Sequence, residues 1–249
     1  MPPIVSLNDI SMSYHSPDGE TKAVSNVSFH VDEGEFVSIV GPSGCGKSTL
    51  LSIISGLIKP TTGEIKINSD KNVGYMLQKD YLFEWRTIFS NACLGLEIQN
   101  KLTDESRENT LNLINKYGLS EFKNSYPFEL SGGMRQRAAL IRTLATNPGI
   151  LLLDEPFSAL DYQTRLYISD EIGSIIRKEK KTAILVSHDI SEAISLSDRV
   201  IVLSRRPGTV KSIYKIDLGM GEHTAMKARE APLFREYFNK IWKELDVHV

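Results

Sequence analysis

The sequence predicts an α/β fold built on a parallel sheet with crossover helices, and two observations support this class. Short runs rich in Val and Ile alternate along the 249 residues with longer segments of helical period, as in β-α-β units. Some of these runs are almost wholly apolar, as strands buried on both faces are. The predicted strands are residues 27–31, Phe36–Val40, 150–153, 183–187 and Arg199–Leu203, of which the last three are predicted to be buried on both faces.

Two further regions do not fit the parallel sheet. Residues 6–14 and 64–68 predict strands of a separate antiparallel layer, with a turn at residues 60–63. Residues 79–146 predict no comparable strand, and their apolar residues recur at helical spacing. We therefore expect an antiparallel β subdomain and a mainly helical subdomain inserted at about residues 79–146.

Signals at helix ends sharpen two of the predicted helices. Thr103 is followed by two acidic residues, a typical N-cap with negative charge where the helix dipole favours it. After Pro232, apolar residues on one helical face predict a helix near the end of the chain. We therefore expect a main domain over residues 1–218 and a C-terminal helical extension over residues 219–249.

Composition and charge exclude several classes of protein. Hydrophobic residues make up 41% and charged residues 24%, which is ordinary for a globular chain and excludes a disordered or collagen-like one. The formal charge of -2 does not favour binding to nucleic acid or anionic lipid. Cys45 and Cys93 are too few for a disulfide framework or a four-thiolate zinc site. We expect a reducing compartment, no signal peptide and no transmembrane span.

A glycine-rich motif follows the predicted strand Phe36–Val40 and precedes a predicted helix at residues 50–55. It fits the pattern G-x-x-x-x-G-K-[ST], in which a curled backbone points its N–H groups at a polyphosphate. The lysine would reach the β- and γ-phosphates, and the serine after it would offer its hydroxyl to Mg²⁺. The alternative is a glycine-rich turn with an incidental lysine. The nine residues are Gly41, Pro42, Ser43, Gly44, Cys45, Gly46, Lys47, Ser48 and Thr49.

The position of this motif between strand and helix predicts a phosphate-loop NTPase (RecA-like) core that binds a nucleoside triphosphate and Mg²⁺. We expect Gly41, Gly44 and Gly46 to be required because the backbone must curl around the phosphates. Lys47 is the residue of the loop that we expect to take part in catalysis as well as in binding.

Two adjacent carboxylates follow the apolar run at residues 150–153. Because side chains alternate along a strand, Asp154 and Glu155 are expected to point to different sides and to hold different roles. Asp154 is placed to hold the Mg²⁺ shell, and Glu155 to act as general base on an attacking water. Taken alone, an Asp-Glu pair at this position would be the start of a solvated loop.

The segment Leu130-Ser131-Gly132-Gly133-Met134-Arg135-Gln136-Arg137 resembles the signature segment of ATP-binding-cassette (ABC) ATPases. The resemblance covers about residues 7–203 and includes six elements in the order of that family. The other matching residues are Tyr14 at the position of an adenine-stacking ring, Gln78 of the Q-loop, Asp161 of the D-loop and His188 of the switch.

The resemblance implies a head-to-tail dimer with two ATP molecules between the subunits. In that arrangement Ser131, Gly132 and Gly133 receive the γ-phosphate of ATP held by the opposite subunit. His188 would contact the γ-phosphate, and Gln78 would bind Mg²⁺ and sense the attacking water. Alternatives remain open, since both residues could be structural strand-end residues.

Two of the cofactor contacts have alternatives of their own. Tyr14 could pack in an edge strand instead of stacking on adenine. Asp161 could be only the N-cap of the helix that follows it.

The same resemblance implies transport through a separate permease at the cytoplasmic face of the membrane. The stretch from Gln78 to Glu97 is similar to importers of nitrate, sulfonates, taurine and thiamine-precursor pyrimidines, which work with an extracytoplasmic solute-binding protein. Aromatic residues after Gln78 would form the groove for a permease helix, or else part of the core. Phe83-Glu84 departs from that branch, which more often has Leu-Pro. The alternatives are an exporter subunit and a soluble cassette that acts on nucleic acid or the ribosome.

Overall fold

The computed structural model describes residues 2–17, 19–68, 72–219 and 224–245. Within these ranges the strands are β1 (Val5–Ser16), β2 (Gly19–Val31), β3 (Phe36–Val40), β4 (Thr62–Ile67), β5 (Val73–Met76), β6 (Ile150–Asp154), β7 (Thr182–Val186), β8 (Arg199–Leu203) and β9 (Val210–Lys215). The α-helices are α1 (Lys47–Ile54), α2 (Ile88–Ile98), α3 (Asp104–Lys116), α4 (Gly132–Ala145), α5 (Tyr162–Lys178), α6 (Ile190–Leu196), α7 (Ala225–Glu230) and α8 (Phe234–Leu245). Among the described residues no helix is both long and apolar enough to cross a membrane.

The chain divides into two compact units. The first unit consists of Met1–Asp70 and Ser169–Val249, and the second of Lys71–Ile168. The predicted α/β class is confirmed, with parallel strand pairs in both units. The proposed boundaries at residues 79–146 and 218 stay predictions.

The first unit contains an antiparallel sheet in the order β2-β1-β4. Residues 27–31, predicted as part of the parallel sheet, belong to β2 and pair antiparallel with β1, with Val31 opposite Val5. The prediction was wrong because Val27, Phe29 and Val31 are buried while the residues between them are exposed. That alternation is typical of an antiparallel strand with one wet face.

The third strand of this sheet, β4, begins earlier than predicted. Residues 60–63 were expected to form a turn, but Thr62 and Gly63 already belong to β4. Gly63 has φ 92°, and a Cβ there would lie 2.5 Å from the carbonyl oxygen of Asp9. Only glycine fits this close approach of two strands, so a residue typical of turns stands inside a strand.

The first unit also contains the strands β7, β3, β8 and β9 in that spatial order. β3 is parallel to β7 and to β8, and β9 pairs antiparallel with β8. β3, β7 and β8 are buried almost throughout, as predicted for β7 and β8. β9 was not predicted because Ile213 lies on its exposed face while Ser212 faces inward. This reverses the usual pattern, in which apolar residues face inward and polar residues outward.

The second unit holds the parallel pair of β5 and β6, with Val73 opposite Ile150. Residues 77–149 are all described, and they contain α2, α3, α4 and two short 3₁₀ turns but no strand. The predicted N-cap is confirmed, because the Thr103 side chain accepts a hydrogen bond from the Ser106 backbone N–H. Ser106 Oγ accepts one from the Thr103 N–H in return, which completes a capping box.

The C-terminal region packs two helices on the first unit. The predicted helix α8 is present and buries Ile241 in a cluster with Val200 and Val202 of β8. The Ser212 and Tyr214 hydroxyls donate to the Glu244 carboxylate, which joins β9 to α8. The short helix α7 was not predicted. Residues 220–223 and 246–249 of the predicted extension lie outside the described residues.

Candidate nucleotide-binding and signature sites

The phosphate-loop motif leaves β3 and enters α1, as the sequence predicts. Gly44 and Gly46 have φ of 72° and 103°, in a region that favours glycine. Gly41 is not in this region. A Cβ there would instead lie 2.7 Å from Cys45 Sγ, so glycine at this position provides space and not backbone freedom. The expectation that all three glycines serve the curl of the backbone is therefore wrong for Gly41.

Lys47 is the first residue of α1 and lies within the loop. Its side chain is 7% exposed, and its Nζ donates to the carbonyl oxygens of Gly41 at 2.8 Å and Pro42 at 3.0 Å. These bonds hold the ammonium inside the curl of the backbone. The loop thus has the cation that a bound polyphosphate would require.

Cys45 does not contribute to the surface of this loop. Its side chain is fully buried, and burial raises the pKa of the thiol despite the nearby Lys47 charge. The exposed residues of the motif are instead Ser43, Gly44 and Ser48.

Tyr14 lies close to the same loop. It is 44% exposed on β1, and its hydroxyl lies 3.3 Å from Thr49 Oγ1 in α1. The structure thus brings the predicted adenine-stacking ring to the end of the phosphate-loop motif within the first unit. The hydrogen bond leaves the ring partly exposed, as a stacking surface must be.

The second unit carries the acidic pair. Asp154 ends β6 and is 3% exposed. Glu155 follows the strand with φ 48°, a left-handed conformation that costs a residue other than glycine about 1 kcal/mol or more. Because Glu155 lies beyond the end of β6 and has a left-handed backbone, strand alternation alone does not set the direction of its side chain. The expectation that Asp154 and Glu155 point to different sides stays a prediction.

Gln78 contacts the predicted general base directly. Its Nε2 donates to Glu155 Oε2 at 3.1 Å, across 77 positions of sequence. An amide donor to one carboxylate oxygen fixes the orientation of the carboxylate. Two of the residues that were predicted to act on the attacking water therefore meet in the second unit.

Ser131 caps the helix that carries the signature segment. Its Oγ accepts from the Met134 N–H at 3.3 Å, and α4 begins at Gly132. Ser131 and Gly132 are exposed, so the N-terminus of this 14-residue helix is open to an anion. Gly133 is closely packed, since a Cβ there would lie 3.2 Å from Leu160 Cδ2.

The two remaining predicted site residues, Asp161 and His188, each lie next to the end of a helix or strand. Asp161 Oδ1 accepts from the Thr164 N–H at 3.0 Å and so caps α5. Hydrogen bonds from Thr164 hold the pKa of Asp161 below its usual value. His188 follows β7 in the first unit and is exposed.

Gln136 is a site residue that the sequence reasoning missed. It is buried in α4, where its Nε2 donates to the Glu155 carbonyl at 3.1 Å and its Oε1 accepts from the Ala159 N–H at 2.9 Å. It therefore joins the signature helix to the segment that follows the acidic pair. The available signal was its position on the buried face of α4, in helical register with Ala139, Leu140 and Thr143.

The segment after Gln78 presents aromatic rings. Phe83 and Trp85 stack with centroids 4.7 Å apart, and Trp85 is 73% exposed. Leu82 is buried. Leu82 is therefore packed inside and Trp85 lies on the surface, while the groove for a permease helix stays a prediction.

Comparisons with known proteins agree with these features. The family model described as ABC transporter matches residues 24–158. The ABC transporter ATP-binding protein YtlC of Bacillus subtilis is 47% identical over 96% of this chain and 95% of its own length. The aliphatic sulfonates import ATP-binding protein SsuB of Bacillus cereus is 36% identical over 97% of this chain and 96% of its own.

Solved structures of an ABC transporter cassette are also similar to this chain. The dimeric structure of the bacterial ABC transporter cassette MJ0796 has a TM-score of 0.79 and 34% identity, over 86% of this chain and 99% of that one. A post-hydrolysis state of MJ0796 bound to ADP and Pi has a TM-score of 0.78. With a family model over more than half of its length and such relatives over nearly all of it, the chain belongs to the ABC transporter family as an ATP-binding subunit, an ATP hydrolase coupled to transport.

Proposed function

We propose that this chain drives uptake of a small solute of the sulfonate, taurine, nitrate or pyrimidine-precursor class through a separate permease. The observation that carries the importer assignment is the likeness to SsuB of Bacillus cereus, which extends over 97% of the chain. A solute-binding protein outside the membrane would deliver the solute, and this subunit would lie at the cytoplasmic face. The exposed Trp85 is the part of the surface that we propose for permease contact.

Nucleotide binding is proposed for residues of both units. Backbone N–H groups of residues 41–46 other than Pro42, together with the Lys47 ammonium, would hold the phosphates, and the Tyr14 ring would stack on adenine. Ser48, Asp154 and Gln78 offer hydroxyl, carboxylate and amide oxygens, which is a donor set that suits Mg²⁺. Bound Mg²⁺ would neutralise part of the charge on the phosphates.

Hydrolysis is proposed to depend on Glu155 as general base. Its carboxylate takes a proton from water while the water oxygen bonds to the γ-phosphorus and the bond to the bridging oxygen breaks. The Gln78 hydrogen bond to Oε2 supports this role, because it orients the carboxylate. His188 would hydrogen-bond the γ-phosphate and orient the same water.

The second half of each site is proposed to come from another copy. Ser131, Gly132 and Gly133 at the N-terminus of α4 would receive the γ-phosphate of ATP held by that copy. The open helix N-terminus supports this role, since its dipole and free N–H groups favour an anion. The dimeric MJ0796 cassette supports the assembly as a pair.

The test is reconstitution of the chain with its permease and solute-binding protein in vesicles. We expect ATP hydrolysis to rise when one class among an alkanesulfonate, taurine, nitrate and a pyrimidine precursor is added together with the binding protein. The Glu155→Gln variant is the control and should abolish hydrolysis in every case. Stimulation that needs no binding protein would contradict the importer assignment, and stimulation by none of the four classes would contradict the proposed class of solute.

A further inference from the structure

We propose that Arg142 is a positioning residue that ties the aromatic loop, residues 80–87, to the signature helix α4. Through this tie, a nucleotide that binds at Ser131 changes the environment of Trp85. The inference rests on the proposed binding of ATP at the N-terminus of α4. It gives Arg142, which lies outside the sequence motifs, a role in coupling nucleotide binding at Ser131 to Trp85.

Arg142 holds the beginning of the aromatic loop by its backbone. Its Nη2 donates to the Asp80 carbonyl and its Nη1 to the Tyr81 carbonyl, both at 2.7 Å. The rigid fork of a guanidinium can hold two adjacent carbonyl groups in one fixed geometry. Burial lowers the pKa of Arg142, and the Asp80 charge opposes that shift. The bonds therefore join the loop to α4 in a partly desolvated setting, where they are stronger than in water.

A second arginine of α4 connects the same loop to the signature tip. Arg135 lies two helical turns before Arg142, on the same face of the helix. Its Nε donates to Asp80 Oδ2 at 3.1 Å, and its Nη1 donates to the Leu130 carbonyl at 3.3 Å. Leu130 directly precedes Ser131. A continuous set of hydrogen bonds thus runs from the tip of α4 to Asp80.

Asn91 of α2 holds the other end of the aromatic loop. Its side chain is fully buried, and its Nδ2 donates to the carbonyl oxygens of Phe83 and Arg86 at 3.0 Å and of Thr87 at 3.1 Å. Its Oδ1 accepts from the Phe83 N–H at 2.8 Å. These four bonds fix the backbone that carries the stacked Trp85.

The two helices that hold the loop also contact each other. A Cβ at Gly95 of α2 would lie 2.4 Å from Thr146 Cγ2, at the end of α4, so the helices approach closely there. The loop is therefore fastened to one packed pair of helices at both ends. We expect a displacement of α4 at its Ser131 tip to reach Trp85 through these contacts.

The fluorescence of Trp85 provides the test. The chain has two tryptophans, so Trp242→Phe leaves Trp85 as the single reporter. In this variant, combined with Glu155→Gln to prevent turnover, we expect Mg·ATP to shift the Trp85 emission. Adding Arg142→Gln should reduce that shift to less than half, while equilibrium dialysis with labelled ATP still measures binding. Arg142→Lys keeps the charge but not the fork, and should give an intermediate shift.

Arg177→Gln is the matched control. Arg177 also donates to a carbonyl, Leu196 O at 2.8 Å, and to a carboxylate, Asp198 Oδ1 at 3.1 Å, but it lies in the first unit. Its loss should leave the Trp85 shift unchanged. A full shift in both Arg142 variants would overturn the inference, and so would ATP binding without any shift in the parent. Absence of ATP binding in the parent would contradict the proposed function itself.

Discussion

The phosphate loop and the signature helix each offer a helix N-terminus to an anion, but they are held in place by different means. In the phosphate loop, Lys47 bonds to carbonyls only five and six positions away, and glycines make the curl possible. Around the signature helix, Gln136 and Arg142 bond to groups 19 to 62 positions away. The phosphate loop is therefore held by contacts within a few residues, whereas the signature helix depends on tertiary contacts of side chains.

This difference has a mechanical consequence. The hydrogen bonds of Lys47 keep the phosphate loop in shape locally, whereas a helix tip held by distant contacts can pass a displacement to those contacts. We expect substitutions in the phosphate loop to abolish ATP binding. Changes around α4 should instead weaken communication or chemistry while binding persists.

The largest effect that tests this comparison is expected at Glu155. Glu155→Gln removes the proposed general base but keeps a group of nearly the same size. We expect ATP binding to persist and hydrolysis to fall at least about a hundredfold, as for loss of a general base. Steady-state phosphate release and equilibrium dialysis measure the two quantities. Glu121→Gln, at an exposed glutamate of the same unit, is the control, and wild-type turnover in Glu155→Gln would remove Glu155 from its role.

In the phosphate loop, we expect a substitution of Gly46 to lower stability and to abolish ATP binding. In Gly46→Ala the new Cβ would meet Val24 Cγ1 at 2.4 Å, at a φ of 103°. Strain and overpacking together should lower the free energy of unfolding by about 2 kcal/mol or more, and ATP binding should be lost. Thermal unfolding and dialysis measure both.

Gly44→Ala is the matched control for this change. Gly44 also has a positive φ, 72°, but no heavy atom lies within 4 Å of its Cβ position. We therefore expect a loss of only about 1 kcal/mol there. Equal losses at both glycines would mean that backbone strain alone, and not the approach of Val24, makes Gly46 necessary.

A smaller effect is expected at Gln136. Gln136→Leu leaves the Ala159 N–H and the Glu155 carbonyl without this partner, which should lower the free energy of unfolding by about 1–2 kcal/mol. Hydrolysis should fall more than binding, since Glu155 loses support. Gln136→Glu retains an acceptor for Ala159 and should retain part of the activity. If binding falls as much as hydrolysis, Gln136 is only a packing residue.

The same difference between local and distant contacts decides what the sequence could predict. The cap at Thr103 and the phosphate-loop curl were predictable because their partners lie a few residues away. The strands at residues 150–153 and 183–187 were predictable because burial on both faces leaves a continuous apolar run. β9 was missed because its apolar Ile213 faces outward.

Distant contacts left no comparable signal. The bond from Gln78 to Glu155 spans 77 positions, and the bonds from Arg142 to Asp80 and Tyr81 span about 60. The resemblance to a family named Gln78, and the acidic pair after an apolar run named Glu155, but neither predicted the bond between them. The sequence pattern therefore predicted the groups that we propose to touch nucleotide, while the residues that position those groups could be found only in the fold.

The smallest effect is expected at Asp161, which is a proposed nucleotide contact and also the N-cap of α5. It therefore tests the role of a local contact at a proposed site residue. Hydrogen bonds from Thr164 lower the pKa of the Asp161 carboxylate, so the charged form stabilises the folded state. That contribution is present above the unfolded pKa of about 3.9 and is lost as the pH falls through the lower folded value. In Asp161→Asn, whose side chain caps without charge, the melting temperature should fall less between pH 5 and about pH 3 than in the parent. A parallel fall in both proteins would show that the charge of Asp161 contributes nothing to the cap, and would leave its proposed role at the nucleotide as the reason for an acid at this position.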